Sequence, residues 1–155
     1  MKSLNYYDYS IGTLGITEDN GAITHVYFGR KTKLSGYKIA ETPLIQEAAA
    51  QLRKYFDGER IEFNLPLAPL GTPFQRTVWK VLQTIPTGEI RSYQDIAVLI
   101  ERPQAAQAVG MANHRNPIAI IIPCHRVIGK NGNLTGYAGG LNIKRYLLDL
   151  EKNQV

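Results

Sequence analysis

The first half of the chain alternates short apolar segments with turn-forming residues and then continues as one amphipathic helix. Apolar residues recur at helical spacing over residues 43–56, where Thr42 can cap the helix and Asp57-Gly58 can end it. The segments before this helix are rich in β-branched and aromatic residues, as strands are. The predicted strands cover residues 6–10, 14–17 and 23–28. Residues 1–65 are therefore expected to form a small structural α/β domain, a short antiparallel sheet plus a helix.

The second half is mainly helical and follows a proline-rich connector, residues 66–71. Thr72-Pro73 is an N-cap followed by proline at the first helical position, and Ser92 can cap a further helix. The predicted helices cover residues 73–85, 93–100, 103–113 and 141–151, and the last should bury Ile143, Tyr146, Leu147 and Leu150. A tight turn joins the second and third helices, which predicts a helix-turn-helix. The sequence thus predicts the α+β class, with a C-terminal domain over residues 72–155.

The second helix of the predicted pair carries an unusual number of small side chains. They are Ala105, Ala106, Ala108, Gly110 and Ala112. Small side chains allow close approach either to a neighbouring helix or to a DNA groove, and the pattern leaves both interpretations open. Helices that read base sequence use large polar side chains, so this helix favours binding with little sequence readout.

Composition limits the classes of function. The formal net charge of +5 favours contact with a polyanion, and nucleic acid is the commonest one. A single cysteine excludes an internal disulfide, and the three histidines are too scattered to predict a metal site. The chain shows neither an apolar leader at its start nor an apolar run long enough to span a bilayer. We therefore expect a cytoplasmic protein with no metal and no membrane contact.

The single cysteine, Cys124, follows an apolar run over residues 118–122 that predicts a short buried strand ending at Pro123. His125 can accept a proton and Arg126 can supply a fixed positive charge, and both favour a thiolate. The local sequence fits an activated nucleophile and a buried apolar side chain equally well.

Three features downstream of the cysteine could contribute to a site. Lys130 lies in a turn-forming stretch and could meet a phosphate, and the glycine-rich residues 135–140 could form a pocket wall. Glu151 lies at the C-terminal end of the last predicted helix, where a carboxylate opposes the helix dipole. Either a buried partner or simple solvation explains a glutamate there.

Together these motifs resemble the O6-alkylguanine-DNA alkyltransferase family. The residues that carry the resemblance are Gly110, Asn116-Pro117, residues 122–127, residues 136–141, Leu147-Leu148 and Glu151, with Phe74, Val78, Trp79, Gly88-Glu89 and Ser92-Tyr93 upstream. The match covers residues 72–151, while the N-terminal half is similar only in size and general character. The resemblance implies a methylated-DNA–protein-cysteine S-methyltransferase that repairs DNA by direct damage reversal. It would act once, without a cofactor, as a monomer on double-stranded DNA carrying O6-alkylguanine, with O4-alkylthymine as a second substrate.

The resemblance also implies a role for individual residues. Cys124 would attack the alkyl carbon, and Glu151 would orient His125, which deprotonates the thiol through a bridging water. The Tyr93 hydroxyl would reach N3 of the guanine, and Asn116 would brace the turn beside the active-site loop. The substrate-binding residues implied are Tyr93, Val127, Tyr137 and Ala138.

A base inside a duplex is out of reach, so the resemblance implies that the target base is flipped out by a helix in the minor groove. The DNA-binding residues implied are Gln94, Ala105, Ala106, Gln107, Gly110 and Lys130. Two departures from the family pattern matter. Gln107 stands where the family usually has an arginine that enters the base stack, which predicts a reduced rate or DNA affinity. The N-terminal zinc ligands of some relatives are also absent from the sequence.

Other functions remain open at the level of sequence. A non-catalytic damage-binding relative would share the fold, but such proteins lack the cysteine. A helix-turn-helix regulator with Cys124 as a sensor would need large polar side chains on its recognition helix, and a thiol hydrolase would need turnover chemistry that nothing here demands.

Overall fold

The chain folds in the α+β class, with a sheet and one helix first and further helices after it. The computed structural model describes residues 1–30, 34–130, 132 and 134–154. The strands are β1 (Lys2–Tyr9), β2 (Gly12–Asp19), β3 (Ala22–Phe28), β4 (Lys38–Ile39), β5 (Arg91–Ser92) and β6 (Val127–Ile128). The helices are α1 (Pro43–Phe56), α2 (Pro73–Leu82), α3 (Tyr93–Leu99), α4 (Ala106–His114) and α5 (Leu141–Lys152). We call β1–β4 with α1 the sheet unit, and α2–α5 with their connections the helical unit. The predicted class is confirmed.

The sheet has the strand order β3-β2-β1-β4. Asn20 and Gly21 have φ angles of 50° and 80°, as a tight turn between β2 and β3 requires. The strand β4 pairs parallel to β1, so the sheet is mixed rather than purely antiparallel as expected. The pattern missed β4 because it has only two residues, both exposed, and therefore no apolar alternation.

The helix α1 has the predicted bounds and packs its apolar stripe on the sheet. The Thr42 hydroxyl accepts a hydrogen bond from the amide of Ile45 at 3.1 Å, which satisfies a free donor of the first turn. Its buried residues are Ile45, Ala48, Ala49, Leu52 and Tyr55.

The connector between the units lies against β3. Ile23 donates to the carbonyl of Pro66 and accepts from the amide of Ala68, both at 2.8 Å. One cluster of buried side chains contains Ile16 and Leu52 of the sheet unit and Trp79 of the helical unit. The division at residues 65 and 72 stays a prediction, since the two units share one core.

Residues 118–122 are buried as predicted, but the predicted strand is wrong. Only Ile118 forms a bridge, to Val26, and the chain then turns, with Ile120 at a φ of 71°. A buried apolar run bounded by prolines has the same composition whether it extends or turns, so the sequence pattern could not distinguish the two.

Three helix details also differ from the prediction. The helix α2 ends at Leu82 rather than near residue 85, and α4 begins at Ala106 rather than at residue 103. The amide of Ala105 bonds to the carbonyl of Arg102, so the residues before α4 form a turn. On α5, Tyr146 is exposed while Lys144 is fully buried.

Candidate functional site: a buried cysteine beside a histidine–glutamate pair

Cys124 opens a single 3₁₀ turn, Cys124–Arg126, that leads into β6. Its side chain is buried, with 6% of the residue exposed. Two asparagines from the end of α4 and the residues after it fix the turn. The Asn113 amide donates to the carbonyl of Cys124 at 3.2 Å. The Asn116 amide donates to the carbonyl of Ile122 at 2.8 Å, and its oxygen accepts from the amide of Ile118. The end of α4 therefore sets the position of the cysteine.

His125 is fully buried and forms a hydrogen bond with Glu151 of α5, with Nε2 and Oε2 2.5 Å apart. Burial lowers the pKa of His125 below its ordinary value of 6.5, and Glu151 only partly opposes this. The ring is therefore neutral at neutral pH. Because a carboxylate oxygen only accepts, the proton lies on Nε2. Nδ1 is then the basic atom, and it has no hydrogen-bond partner among the residues that the structure describes.

Glu151 is held by three side chains. Arg126 donates from Nε to Oε1 at 2.7 Å and from Nη2 to Oε2 at 3.1 Å, and the Tyr55 hydroxyl of α1 donates to Oε2. Burial alone would raise the pKa of Glu151, but the His125 ring and the Arg126 guanidinium lower it to about 2. A carboxylate at the end of a helix is thus ionised, buried and fully paired. The solvated alternative for this residue is wrong.

The electrostatics of the thiol differ from the expectation. Burial raises the pKa of Cys124, and the Asn116 amide and the Lys144 ammonium only partly oppose it. Arg126 was expected to favour a thiolate, but its guanidinium bonds to Glu151, the carbonyl of Ile85 and the Thr87 hydroxyl. The resting side chain is therefore a protonated thiol.

Lys144 is the cation that acts on the thiol, and no sequence motif predicted this role. Its ammonium donates to the carbonyls of Val127 at 2.7 Å and Thr135 at 3.1 Å. No carboxylate pairs with it within the described part of the chain. A lysine followed by Arg145 on an amphipathic helix is normally assigned to the solvent face, so the sequence gave no signal.

The expected substrate-binding residues lie on β6, at the start of α3 and on the glycine-rich segment. Parallel pairing of β5 with β6 sets the start of α3 beside the end of β6, and the Tyr93 hydroxyl there is hydrogen-bonded to the Thr135 hydroxyl. Val127 is buried in β6, and Ala138 is exposed on the glycine-rich segment. The Tyr137 ring packs on Phe28 of β3, with centroids 5.8 Å apart. Burial and then Cys124 and Glu151 raise the pKa of Tyr137 well above 10.

The expected DNA-binding residues lie mainly on α3, α4 and the turn between them. Gln94 and Gln107 are exposed, while Ala105, Ala106 and Gly110 are half-buried. Gly110 faces Tyr93, since a Cβ built on it would lie 3.8 Å from the tyrosine ring. Lys130 is exposed in the turn after β6. These residues are separate from the His125–Glu151 pair, and α4 connects them to Cys124.

Among the residues that the structure describes, no three His, Cys, Asp or Glu side chains cluster as a metal site would require. No helix in this part of the chain is long and apolar enough to cross a membrane.

The fold and this set of residues define a class of DNA-repair methyltransferase. Residues 73–153 match the family model of the 6-O-methylguanine DNA methyltransferase DNA binding domain, and residues 4–69 match that of its ribonuclease-like domain. The chain therefore belongs to the 6-O-methylguanine DNA methyltransferase family, and the resemblance seen in the sequence is confirmed.

Individual relatives match over nearly their whole length. A methylated-DNA–protein-cysteine methyltransferase of Methanosarcina barkeri is 50% identical over 97% of this chain and 99% of its own. The constitutive methylated-DNA–protein-cysteine methyltransferase of Bacillus subtilis is 46% identical over 96% of both chains. The crystal structure of Mycobacterium tuberculosis OGT in complex with DNA aligns with a TM-score of 0.90 at 47% identity, covering 97% of this chain and 92% of that one.

Proposed function

We propose that this protein repairs DNA by taking the alkyl group from O6 of guanine onto the sulfur of Cys124, once and irreversibly. The observation that carries the proposal is the buried thiol next to a His125–Glu151 pair in a chain of this family. Methylated-DNA–protein-cysteine methyltransferase is the activity named for its relatives. The non-catalytic alternative is weaker because the nucleophile and its neighbouring base are both present.

The transfer is a displacement at the alkyl carbon. The Cys124 proton passes through a water molecule to Nδ1 of His125, and the resulting thiolate attacks the carbon. The carbon–sulfur bond forms as the carbon–O6 bond breaks, and the bonding electrons leave on the guanine. Ionised Glu151 stabilises the imidazolium at Nε2. The product is a stable thioether, so the Cys124 thiol is not regenerated.

The leaving guanine carries negative charge and needs a donor where that charge develops. The Tyr93 hydroxyl would supply it at N3, exchanging its bond to Thr135 for one to the base. The proton on His125 can then pass to the guanine. Overall, the proton of the Cys124 thiol replaces the alkyl group on the base. Val127, which directly follows the Cys124 turn, and Tyr137 and Ala138 of the glycine-rich segment would line the base.

Access to Cys124 requires a flipped base, because the thiol is buried. We propose that α3, α4 and their connection act as a helix-turn-helix and that α4 lies in the minor groove. Thr42, Thr72 and Ser92 cap their helices, whereas the N-cap position of α4 is Ala105, and no described side chain caps that helix. Free amides at its first turn suit a phosphate, and the net charge of +5 favours DNA in general.

Mass spectrometry tests the transfer directly. Duplex DNA with one O6-methylguanine is incubated with the protein, and the intact chain is weighed. We expect one methyl group per chain, localised to Cys124 and absent from Cys124→Ala. An unmodified chain in a stable complex with the duplex would favour the damage-binding alternative, and the same experiment with O4-methylthymine tests the second substrate.

Gln107 is exposed on α4 and is proposed to enter the base stack, where the family usually has arginine. A glutamine is uncharged and stacks less well, so Gln107→Arg should speed transfer from duplex DNA. Transfer from the free base O6-methylguanine should not change, since no flipping is needed. An unchanged or slower duplex rate would show that Gln107 is not the residue that enters the stack.

The monomeric state and the cytoplasmic location stay predictions. Light scattering of the protein alone and on undamaged DNA would test the monomeric state.

A further inference from the structure

We propose that Tyr55, a residue of the sheet unit, is a positioning residue for the reaction: it holds Glu151, and through Glu151 it sets His125. The inference rests on the proposed function and assigns the sheet unit a part in it. Tyr55 lies in the last turn of α1 and is 1% exposed. Its hydroxyl donates to Oε2 of Glu151, the same oxygen that bonds to Nε2 of His125.

The tyrosine is itself held firmly. Its ring packs against Phe56 and Phe63, with centroids 5.2 and 5.7 Å away. Its carbonyl accepts a hydrogen bond from Gln154 at 3.1 Å, so two bonds join the end of α1 to the end of α5. A side chain fixed by ring packing on an anchored stretch of backbone can locate a carboxylate to within a fraction of an ångström.

The hydroxyl also affects the charge of the pair. Burial and the adjacent Glu151 raise the pKa of Tyr55 well above 10, so the hydroxyl stays protonated and only donates here. A donor on Oε2 neutralises part of the charge that His125 feels. Without it, the carboxylate would stabilise the imidazolium more strongly and the pKa of His125 would rise.

The remaining charged and titratable groups near the pair do not change when the hydroxyl is removed. They are Arg126 and Cys124 of the same turn, Lys144 of α5 and Tyr137 of the glycine-rich segment. Arg126 keeps two bonds to Glu151, so the carboxylate remains in the site when Tyr55 becomes phenylalanine. The change therefore isolates one hydrogen bond.

Tyr9→Phe is the matched control. The Tyr9 hydroxyl is also buried in the sheet unit and also bonds to another element, but its acceptor is the carbonyl of Ala49, at 2.9 Å. Both variants lose one buried hydroxyl and keep the ring. Only Tyr55→Phe removes a bond to the site.

The test is the single-turnover rate of methyl transfer against pH for wild type, Tyr55→Phe and Tyr9→Phe, at a temperature where all are folded. For Tyr55→Phe we expect unchanged duplex affinity, a rate roughly three- to tenfold lower at neutral pH, and an acid limb moved up by roughly 0.5–1 unit. Tyr9→Phe should keep the wild-type profile. Coincident profiles for all three, or equal shifts in both variants, would overturn the inference.

An NMR titration of the His125 ring, which needs no substrate, separates this inference from the proposed function. A higher pKa in Tyr55→Phe than in wild type and Tyr9→Phe supports the positioning role, and an unchanged pKa overturns it. If wild type transfers no methyl group, the proposed function fails. The titration still decides whether Tyr55 positions Glu151 and thereby affects the pKa of His125.

Discussion

Cys124 is a thiol and not a thiolate in the resting protein, because burial raises its pKa. The base that can remove the proton is the neutral His125, whose pKa burial also lowers. The neutral thiol of Cys124 and the neutral ring of His125 do not react by themselves. Proton transfer between them leads to a reaction only when an alkylated base is in place for the thiolate to attack. This arrangement suits a protein that is consumed by one reaction, since a permanent thiolate would be open to oxidation.

Lys144 should control how easily the thiol ionises. Replacing it by methionine removes the cation that lowers the pKa of Cys124, so that pKa should rise further. The thiolate fraction at a given pH would fall while each thiolate becomes more nucleophilic, so transfer should be slower, by about a few-fold. The pH dependence of Cys124 labelling by iodoacetamide measures the shift, since the chain has no other cysteine.

Lys152→Met is the control for this prediction, because Lys152 lies on the same helix and is exposed. It should leave the labelling profile unchanged. A Lys144→Met profile that coincides with it would contradict the electrostatic role and leave Lys144 as a structural bridge between two carbonyls.

The individual residues also show how far the sequence could predict the site. Cys124, His125 and Glu151 belong to short motifs, and the structure brings them together. Tyr55 and Lys144 carry no motif and reach the site only because α1 and α5 pack there. Contacts between residues 96 positions apart, as for Tyr55 and Glu151, depend on tertiary packing that no local pattern encodes.

At the scale of elements, α4 has two tasks. Its inner face buries Val109, Ala112 and Asn113, and Asn113 bonds to the carbonyl of Cys124. Its outer face contains the exposed Gln107 and Met111. The proposed DNA-binding helix is thus in direct contact with the turn that carries the nucleophile. The sequence pattern left helix packing and DNA binding as alternatives for the small residues, and the geometry is compatible with both at once.

Gly110→Ala should separate these two tasks. Alanine within a helix is favoured over glycine by about 0.5–1 kcal/mol, and the added Cβ would be in ordinary contact with Tyr93 at 3.8 Å. The free energy of unfolding should therefore rise. Affinity for duplex DNA should fall, because the methyl group would stand between α4 and the groove. Denaturant melts and fluorescence anisotropy measure the two effects.

A stabilising change elsewhere controls for this experiment. Thr77 is exposed on α2, and Thr77→Ala raises helix propensity without touching α4. It should leave DNA affinity as in wild type. If Gly110→Ala also keeps full affinity, the face of α4 around Gly110 does not enter the groove.

At the scale of the whole molecule, the two units share one core around the buried ion pair of Arg126 with Glu151. The core is continuous between them, and β3 bonds both to the connector and to the segment before Cys124. The sequence predicted the starts of α1, α2 and α3 well, because Thr42, Thr72 and Ser92 cap them. It predicted the joining segments poorly, because residues 66–68 and 117–119 obtain their conformation from β3.

The buried pair should also make the stability of the whole protein sensitive to acid. The pKa of His125 is lowered in the folded state, so its contribution is present above the unfolded value, about 6.5, and is lost as the pH falls below it. Glu151, with a folded pKa of about 2, adds a second loss between its ordinary value of 4.5 and that pH. We expect the free energy of unfolding to fall between about pH 7.5 and pH 5, a range in which the buried histidine gains its proton in the unfolded chain while Glu151 stays ionised.

Denaturant titrations at several pH values measure this loss, and His125→Gln assigns it. Glutamine can still donate to Glu151 but does not titrate. The variant should therefore be less stable than wild type near neutral pH, and its free energy of unfolding should change less as the pH falls. His25 contributes in the same direction, because burial and then Lys2 lower its pKa. The variant His25→Gln should remove only a part of the slope, and the double variant should remove the rest. A double variant with the full wild-type slope would mean that the acid sensitivity arises from groups other than His125 and His25.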